Sequence, residues 1–241
     1  MLLYQLVSFK NILFLFIFFN SVAYAKWITG VGYFDPGEYR VENEISPMPL
    51  GWNIVPMIGY VSPKMRVIGP RISYHIVGNK AVELRADINA IGDRYESHEV
   101  EMRDTAIDGG MSLRLMFLTF GYSADISNVY YGNNYSWGLS WRFILADNFF
   151  IIPSFTQKYF SSEYTNFYFG VKESEEGYFN AYEVDASKIS TLRLTTTLKL
   201  NEKDSIAFTV SQREFEDEVY DSPTVAKKRY LSSSLFWNYS F

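Results

Sequence analysis

Apolar and polar residues alternate along most of this chain with a period of two, the spacing that sends successive side chains to opposite faces of a strand. Residues 81–91 set Val82, Leu84, Ala86, Ile88 and Ala90 against Glu83, Arg85, Asp87 and Asn89. In residues 135–146, Tyr135, Trp137, Leu139, Trp141, Phe143 and Leu145 oppose Ser136, Gly138, Ser140 and Arg142. Leu192, Leu194, Leu198 and Leu200 oppose Arg193, Thr195, Thr197 and Lys199, and Ile206, Phe208 and Val210 oppose Thr209, Ser211 and Arg213. The final stretch, "LSSSLFWNYSF" (231–241), puts Leu231, Leu235, Trp237, Tyr239 and Phe241 on one parity and mostly Ser and Asn on the other. No segment beyond residue 25 carries a 3.6-residue apolar stripe.

These runs are roughly nine to twelve residues long, the length a tilted strand needs to cross a bilayer. The pattern predicts strands near 27–34, 51–60, 66–77, 81–92, 106–116, 117–125, 134–146, 149–160, 188–200, 204–213 and 229–241. Pro56 weakens the second of these, because proline cannot donate to a ladder. Tight polar turns (Gly78-Asn79-Lys80, Asp147-Asn148, Asn201-Glu202-Lys203) alternate with longer charged loops near 93–105, 126–133, 161–187 and 214–228. Such alternation is that of an outer-membrane barrel, with turns in the periplasm and loops outside. The fold class read from the pattern is all-β, a transmembrane antiparallel up-and-down barrel. These are eleven and an even count is required: a further strand near 38–46 would complete the favoured 12, and 10 is the alternative.

Composition points the same way. Aromatics are 18% of the 241 residues, with 19 Tyr and 20 Phe, yet charged residues are 20%, too many for a bundle of membrane helices. Trp and Tyr near strand ends suit the aromatic girdles of a barrel. In lipid every backbone polar group must be paired, which among sheets only a closed barrel achieves. The alternative way to bury the apolar faces is a secreted soluble sandwich. The final Phe241 favours the barrel, since outer-membrane barrels typically finish on an aromatic that the assembly machinery reads. A net charge of -5, with no basic stripe, argues against nucleic acid as a partner. Cys is absent, which removes disulfides, thiolate nucleophiles and Cys-based metal sites. At the N-terminus Lys10, the apolar run Ile12–Phe19 and Ala23-Tyr24-Ala25 form a signal-peptide pattern, too short to span a bilayer as a helix. The expected division is a signal peptide at 1–25 and a barrel at 26–241. Cleavage after Ala25 would leave 216 residues (241 less 25) of net charge near -6, Lys10 having gone.

Three stretches resemble one family. Tyr168-Phe-Gly-Val, continuing to Gly177-Tyr-Phe-Asn-Ala-Tyr182, resembles a loop of the MipA/OmpV family of outer-membrane proteins. Asp221-Ser-Pro-Thr-Val225 is similar to that family's D-S-P-I-V, and Gly69-Pro70-Arg71-Ile-Ser-Tyr74 to its G-P-x-x-x-Y. Order and spacing agree over roughly 27–241. The chain departs from the family loop at Glu175, Glu176 and Tyr178-Phe179. The resemblance implies a barrel without established enzymatic activity, a non-enzymatic scaffold or surface interaction protein. It also implies partners: a murein lytic transglycosylase and a penicillin-binding protein, in a setting of outer-membrane lipid and lipopolysaccharide. The alternatives are a small-solute channel and a membrane hydrolase.

The sequence offers few groups for chemistry, and no catalytic, cofactor-binding or metal site is expected. Ser73 and His75 share one strand face, as a nucleophile and its base could. Side chains two apart on a strand are ~7 Å from one another, however, too far for a hydrogen bond. His98, beside Glu96 and Glu99, falls in a charged loop where solvation is the simpler reading. Glu173, Glu175 and Glu176, and again Glu214, Glu216, Asp217 and Glu218, are acidic clusters without calcium-loop spacing. Inside the barrel, Arg85, Arg142, Arg193, Lys199 and Arg213 are expected to face Glu83 and Asp87.

Overall fold

The computed structural model describes residues 25–42, 53–79, 81–92, 95–97 and 100–241. Of the signal peptide expected at 1–25, all but Ala25 lies outside the described residues. The sheet opens with β1 (Lys26–Asp35), β2 (Ile54–Val61), β3 (Met65–Ile68), β4 (Arg71–Gly78) and β5 (Val82–Ile91). A small separate hairpin, β6 (Tyr95–Ser97) and β7 (Val100–Arg103), rises from the next loop. The wall resumes with β8 (Ala106–Leu115), β9 (Leu118–Asp125), β10 (Asn133–Ser140) and β11 (Phe143–Ala146). It finishes with β12 (Phe149–Phe160), β13 (Ser187–Lys199), β14 (Asp204–Phe215) and β15 (Arg229–Ser240).

Every neighbouring pair is antiparallel, and two pairings close the ring, β1 with β15 and β10 with β12. β10 and β11 are one wall strand. Both pair with β12, and the register is unchanged from Ser140↔Ser154 to Phe143↔Ile151. The ladder lapses at Trp141 and Arg142, across from Pro153, which has no N–H to give, and Ile152; a bulge at Leu145 shifts the register nearer the turn. The barrel therefore has 12 wall strands.

The count agrees with the pattern, but the route to it differs. Of the strand expected near 38–46, residues 38–42 hold only a bridge, Arg40↔Val225, and 43–46 lie outside the described residues. The twelfth strand comes instead from the run 66–77, which folds back on itself as the β3–β4 hairpin. Gly69, at φ 53, and Pro70 make its turn: glycine reaches the left-handed region without penalty, and proline presets its own φ. Because β3 is so short, among the described residues it pairs only with Gly59–Val61 of β2. Pro56 thus sits where β2 needs no second partner, which is why the strand tolerates it.

The expected faces are the observed ones. Val31, Ile58, Leu192, Leu231, Leu235 and Trp237 lie on the outer, exposed face, where lipid rather than protein covers them. The opposite parity lines a lumen rich in Ser and Thr. At the seam, Gly30 and Gly32 of β1 stand against Asn238 and Phe236 of β15, and a Cβ at Gly32 would run into the Phe236 ring. Glycine is what lets an inward aromatic lie flat against the wall there. The seam runs from Ile28↔Ser240 to Asp35↔Ser233, and the Phe241 N–H extends it by donating to the Trp27 carbonyl at 2.9 Å. The Phe241 ring meets Tyr239 edge-on at 4.9 Å.

Removing Phe241 deletes a seam hydrogen bond and this ring contact. The yield of heat-modifiable, membrane-inserted barrel is expected to fall in electrophoresis of unheated samples. An unchanged yield would contradict this account of the seam.

Candidate functional site

All the long connections, 36–53, 92–105, 126–132, 161–186 and 216–228, leave one end of the barrel. The other end has only short turns, at 62–64, 79–81, 116–117, 147–148 and 200–203. Among the described residues of the loops lie the α-helices α1 (Ser162–Phe169) and α2 (Asp217–Tyr220). The sequence pattern predicts a loop over 161–187, and the structure adds a helix there. α1 is short, but Tyr164, Thr165, Tyr168 and Phe169 bury one side of it.

The loops build a cap. Inward residues at the strand rims (Ala106, Phe160, Phe215 and Tyr230) meet Tyr39, Tyr130, Tyr164, Tyr168, Phe169, Val184, Val219 and Val225 from the loops. All are 7% exposed or less. These rims belong to β8, β12, β14 and β15, so the cluster crosses the mouth from one wall to the other. Its rings stack and tilt at short range, with Phe160–Tyr164 centroids 4.0 Å apart and Tyr39–Tyr230 4.4 Å apart. Burial of this much aromatic surface is what holds a loop layer rigid. Tyr130 anchors the layer to the wall through its hydroxyl, which donates to buried Asp108 at 2.5 Å. Burial, followed by this carboxylate, pushes the Tyr130 phenol well above its usual range.

Two arginines lock the cap. Arg40 donates to Thr224 Oγ1 at 3.0 Å and to the Tyr168 carbonyl at 2.7 Å. Its guanidinium lies over the Phe169 and Tyr95 rings, at 4.4 and 4.6 Å. Ser222 donates to the Phe169 carbonyl at 2.5 Å and pairs with Thr224. The two loop motifs, Tyr168-Phe-Gly-Val and Asp221-Ser-Pro-Thr-Val, are therefore the two halves of one interlock, joined by Arg40. Gly92 belongs to the same fit: at φ 101, its missing side chain leaves room for the Tyr168 ring.

The second lock is Arg103 with Glu175. Both nitrogens of the guanidinium fork reach the carboxylate at 2.7 Å, and the side chains are 3% and 2% exposed. Backbone N–H groups of Lys172 and Glu101 also donate to Glu175. Burial alone would raise the Glu175 carboxyl, but Arg103 and these donors outweigh it and hold the group below its usual range. Neither Arg40 nor Arg103 carries a periodic sequence signal. Their side-chain hydrogen bonds reach residues 67 or more positions away, and only the fold reveals them.

In the lumen, the structure separates the sequence-predicted groups. Ser73 donates to Asp87 at 2.5 Å, whereas His75 pairs with Glu83 at 3.0 Å, so each is held by a different carboxylate of β5 and no Ser–His bond exists. Arg85 faces Glu83 as expected, at 2.6 Å. The other four cations do not face the acids of β5. Arg142 lies over the Phe150 ring at 3.9 Å, Arg193 donates to Ser211 and Arg213 to the Tyr230 hydroxyl. Lys199 sits at the turn end of β13. The cations that do meet the acids are Arg71 with Asp87 and Arg114 with Glu83, at 3.1 and 2.7 Å. Their inward parity was visible in the sequence; which wall they shared was not.

The acidic clusters do not converge. Glu175 is committed to Arg103, and Glu214, Glu216 and Asp217 pair separately with Arg229, Lys188 and Lys228. Among the described residues no group of three or more His, Asp or Glu side chains is placed to hold a metal ion. His98 and Glu99 lie outside the described residues.

Two outcomes are expected of the second lock. Arg103→Ala leaves a buried carboxylate without its counter-charge and should cost ~3–5 kcal/mol of cap stability. A carboxyl lowered on folding contributes stability above its unfolded value, about 4.3, and loses it as the pH falls through the folded value. Amide exchange in α1 and 170–175, corrected for intrinsic rates, should therefore accelerate below about pH 4. A flat corrected profile would contradict the role given to this pair.

The model of the family described as MltA-interacting protein MipA matches residues 29–241. A "24 kDa outer membrane protein" of Pasteurella multocida is 27% identical over 124 residues, covering 50% of this chain and 44% of that relative. The chain thus spans less than half the length of that relative in the match. Among solved structures, the outer membrane channel DcaP of Acinetobacter baumannii has TM-score 0.37 at 8% identity, covering 92% of this chain and 99% of that one. A loop-deletion form of OmpT, an outer membrane protein of Vibrio cholerae, has TM-score 0.38 at 6% identity, covering 90% and 98%. With its closed barrel, its two matching loop motifs and a family match over nearly the whole wall, the chain belongs to the MipA family of outer-membrane proteins.

Proposed function

We propose that this barrel is a non-enzymatic interaction protein of the outer membrane, a scaffold or surface interaction module rather than a conduit. The observation that carries the reading is the cap. A dry aromatic core, locked by Arg40 and by the buried Arg103–Glu175 pair, lies across the loop-end mouth, where a channel needs a route for solute. The family's description, MltA-interacting protein, is consistent with a murein lytic transglycosylase as the first partner to test; the penicillin-binding protein implied by the sequence resemblance is the second. Such partners are periplasmic and would meet the turn end. The turns there are short, but the rim around them is apolar: Met116, Trp141, Ile144 and Leu145 are all at least half exposed. Separation of Ser73 from His75 supports the non-enzymatic part of the reading.

A second reading, a small-solute channel, is favoured by the polar, Ser- and Thr-lined lumen, and requires the cap to open. Crosslinking followed by affinity capture of a tagged chain from envelopes should recover murein enzymes, and the purified barrel should give no discrete conductance steps in planar bilayers. Regular steps with no murein enzyme recovered would replace the scaffold with the channel.

A further inference from the structure

The wall is stepped at its turn end. β9 and the turn before it, Met116-Phe117, stop level with Ser140, whose N–H donates to the Phe117 carbonyl at 2.9 Å. The neighbouring strand runs on as β11 and returns as β12 through Asp147-Asn148. From Trp141 to Ala146, ~20 Å of strand at ~3.3 Å per residue, the chain has β12 on one side and no strand on the other among the described residues. β11 is an edge strand.

Backbone direction shows what this edge offers. The Ser140 N–H points toward β9, and the Trp141 N–H donates the other way, to the Pro153 carbonyl at 3.2 Å. Alternation then turns the N–H and C=O groups of Arg142 and Ile144 away from β12, toward the empty side. Phe143, Ile144 and Leu145 are 47%, 70% and 60% exposed. Phe143 and Leu145 share the outward parity of Trp141, where lipid covers them. Ile144 has the opposite parity and lies past the end of β9, out of reach of lipid. In hydrocarbon the free peptide groups lack partners, and in water Ile144 stays wet. A strand added along the edge relieves both.

A second copy of this chain does not fit the edge. Barrel strands tilt ~35–45° from the membrane normal, so two copies related by an axis along that normal would cross their edges at roughly twice that angle, too steep to pair. The occupant is therefore an extended segment of another protein. Arg142 lies over the Phe150 ring at 3.9 Å and has no ion pair among the described residues, so an acidic side chain opposite it supplies the complementary charge. Met116, 63% exposed, and Phe117 border the slot and favour apolar neighbours.

We propose that the free edge of β11 is a strand-addition site for an extended periplasmic segment, apolar where it passes Ile144 and acidic opposite Arg142. The proposal rests on the reading that partners meet the turn end, and it adds how they are held.

The probe is a fluorescent peptide, Val-Thr-Val-Glu-Val-Thr-Val, titrated into the full barrel in detergent and read by anisotropy. Saturable binding is expected. Two further peptides carry methyl groups on one or the other alternate set of backbone nitrogens, and only the set that faces the edge should lose binding, by about tenfold. Ile144→Pro removes an edge N–H without touching the ladder to β12 and should weaken binding about tenfold as well. Arg142→Glu should weaken the acidic peptide and favour one with Lys in place of Glu. Leu200→Thr, at another turn, should change nothing. Unheated electrophoresis checks that each variant is a folded barrel, and the methylated peptides test the same bonds on the unaltered chain. No saturable binding, equal binding of all three peptides, or indifference to Ile144→Pro would each overturn the proposal. Murein enzymes captured equally by the unaltered chain and by Ile144→Pro would leave the scaffold standing and remove the edge as its site. Edge-dependent peptide binding with no murein enzyme captured would support the edge and remove that partner.

Discussion

A peptide group exposed to hydrocarbon without a partner costs several kcal/mol, and the pairing of β1 with β15 is how this chain avoids that cost. Closure joins the two edges that an open sheet would leave unpaired. The alternation along each strand has meaning only once the wall is closed, because closure decides that one parity meets lipid and the other water. Gly30 and Gly32 serve the same end. They let the seam strands approach with Phe236 lying inward, where a larger residue would force them apart.

Closure also creates two mouths, and the chain treats them differently. Short turns leave one as a plain rim. At the other, loops far apart in sequence fold into a second hydrophobic core, perpendicular in purpose to the wall: the wall faces lipid outward, and the cap buries its aromatics across the opening. Buried charge holds this layer in register. The Arg103–Glu175 pair is fully hydrogen-bonded at the carboxylate, which is the condition under which a buried ion pair is tolerable. Among the described residues Arg40 is held by a carbonyl, a hydroxyl and ring faces, an arrangement suited to a weakly hydrated guanidinium.

What could be read from the sequence follows the same division. Strands such as β5, β13 and β15 were legible because period two is a local signal, written in consecutive residues. The β3–β4 hairpin was not, since its turn is only Gly69-Pro70 and alternation continues on both sides of it. An even strand count was legible, but the segment chosen to complete it, near 38–46, was not the one that does. The cap was illegible for a different reason: Arg40, Arg103, Tyr168 and Ser222 meet only in the folded barrel, and no spacing links them. The motifs at 168–171 and 221–225 marked the place without revealing that they touch. In the lumen, parity identified which side chains point inward, while their pairing across the barrel depended on strand order around the ring. Arg193 and Glu83 thus shared a lumen but not a wall.

Access to the lumen tests the central claim, that the cap seals one mouth and leaves the other open. The chain has no Cys, so a single Thr195→Cys, inward and opposite Thr209, reports on the lumen without background from this protein. A polymer-linked maleimide too large for porins is added to intact cells, and separately to envelopes opened on the periplasmic side. We expect no labelling in intact cells and labelling in opened envelopes. Labelling in intact cells would contradict a closed cap.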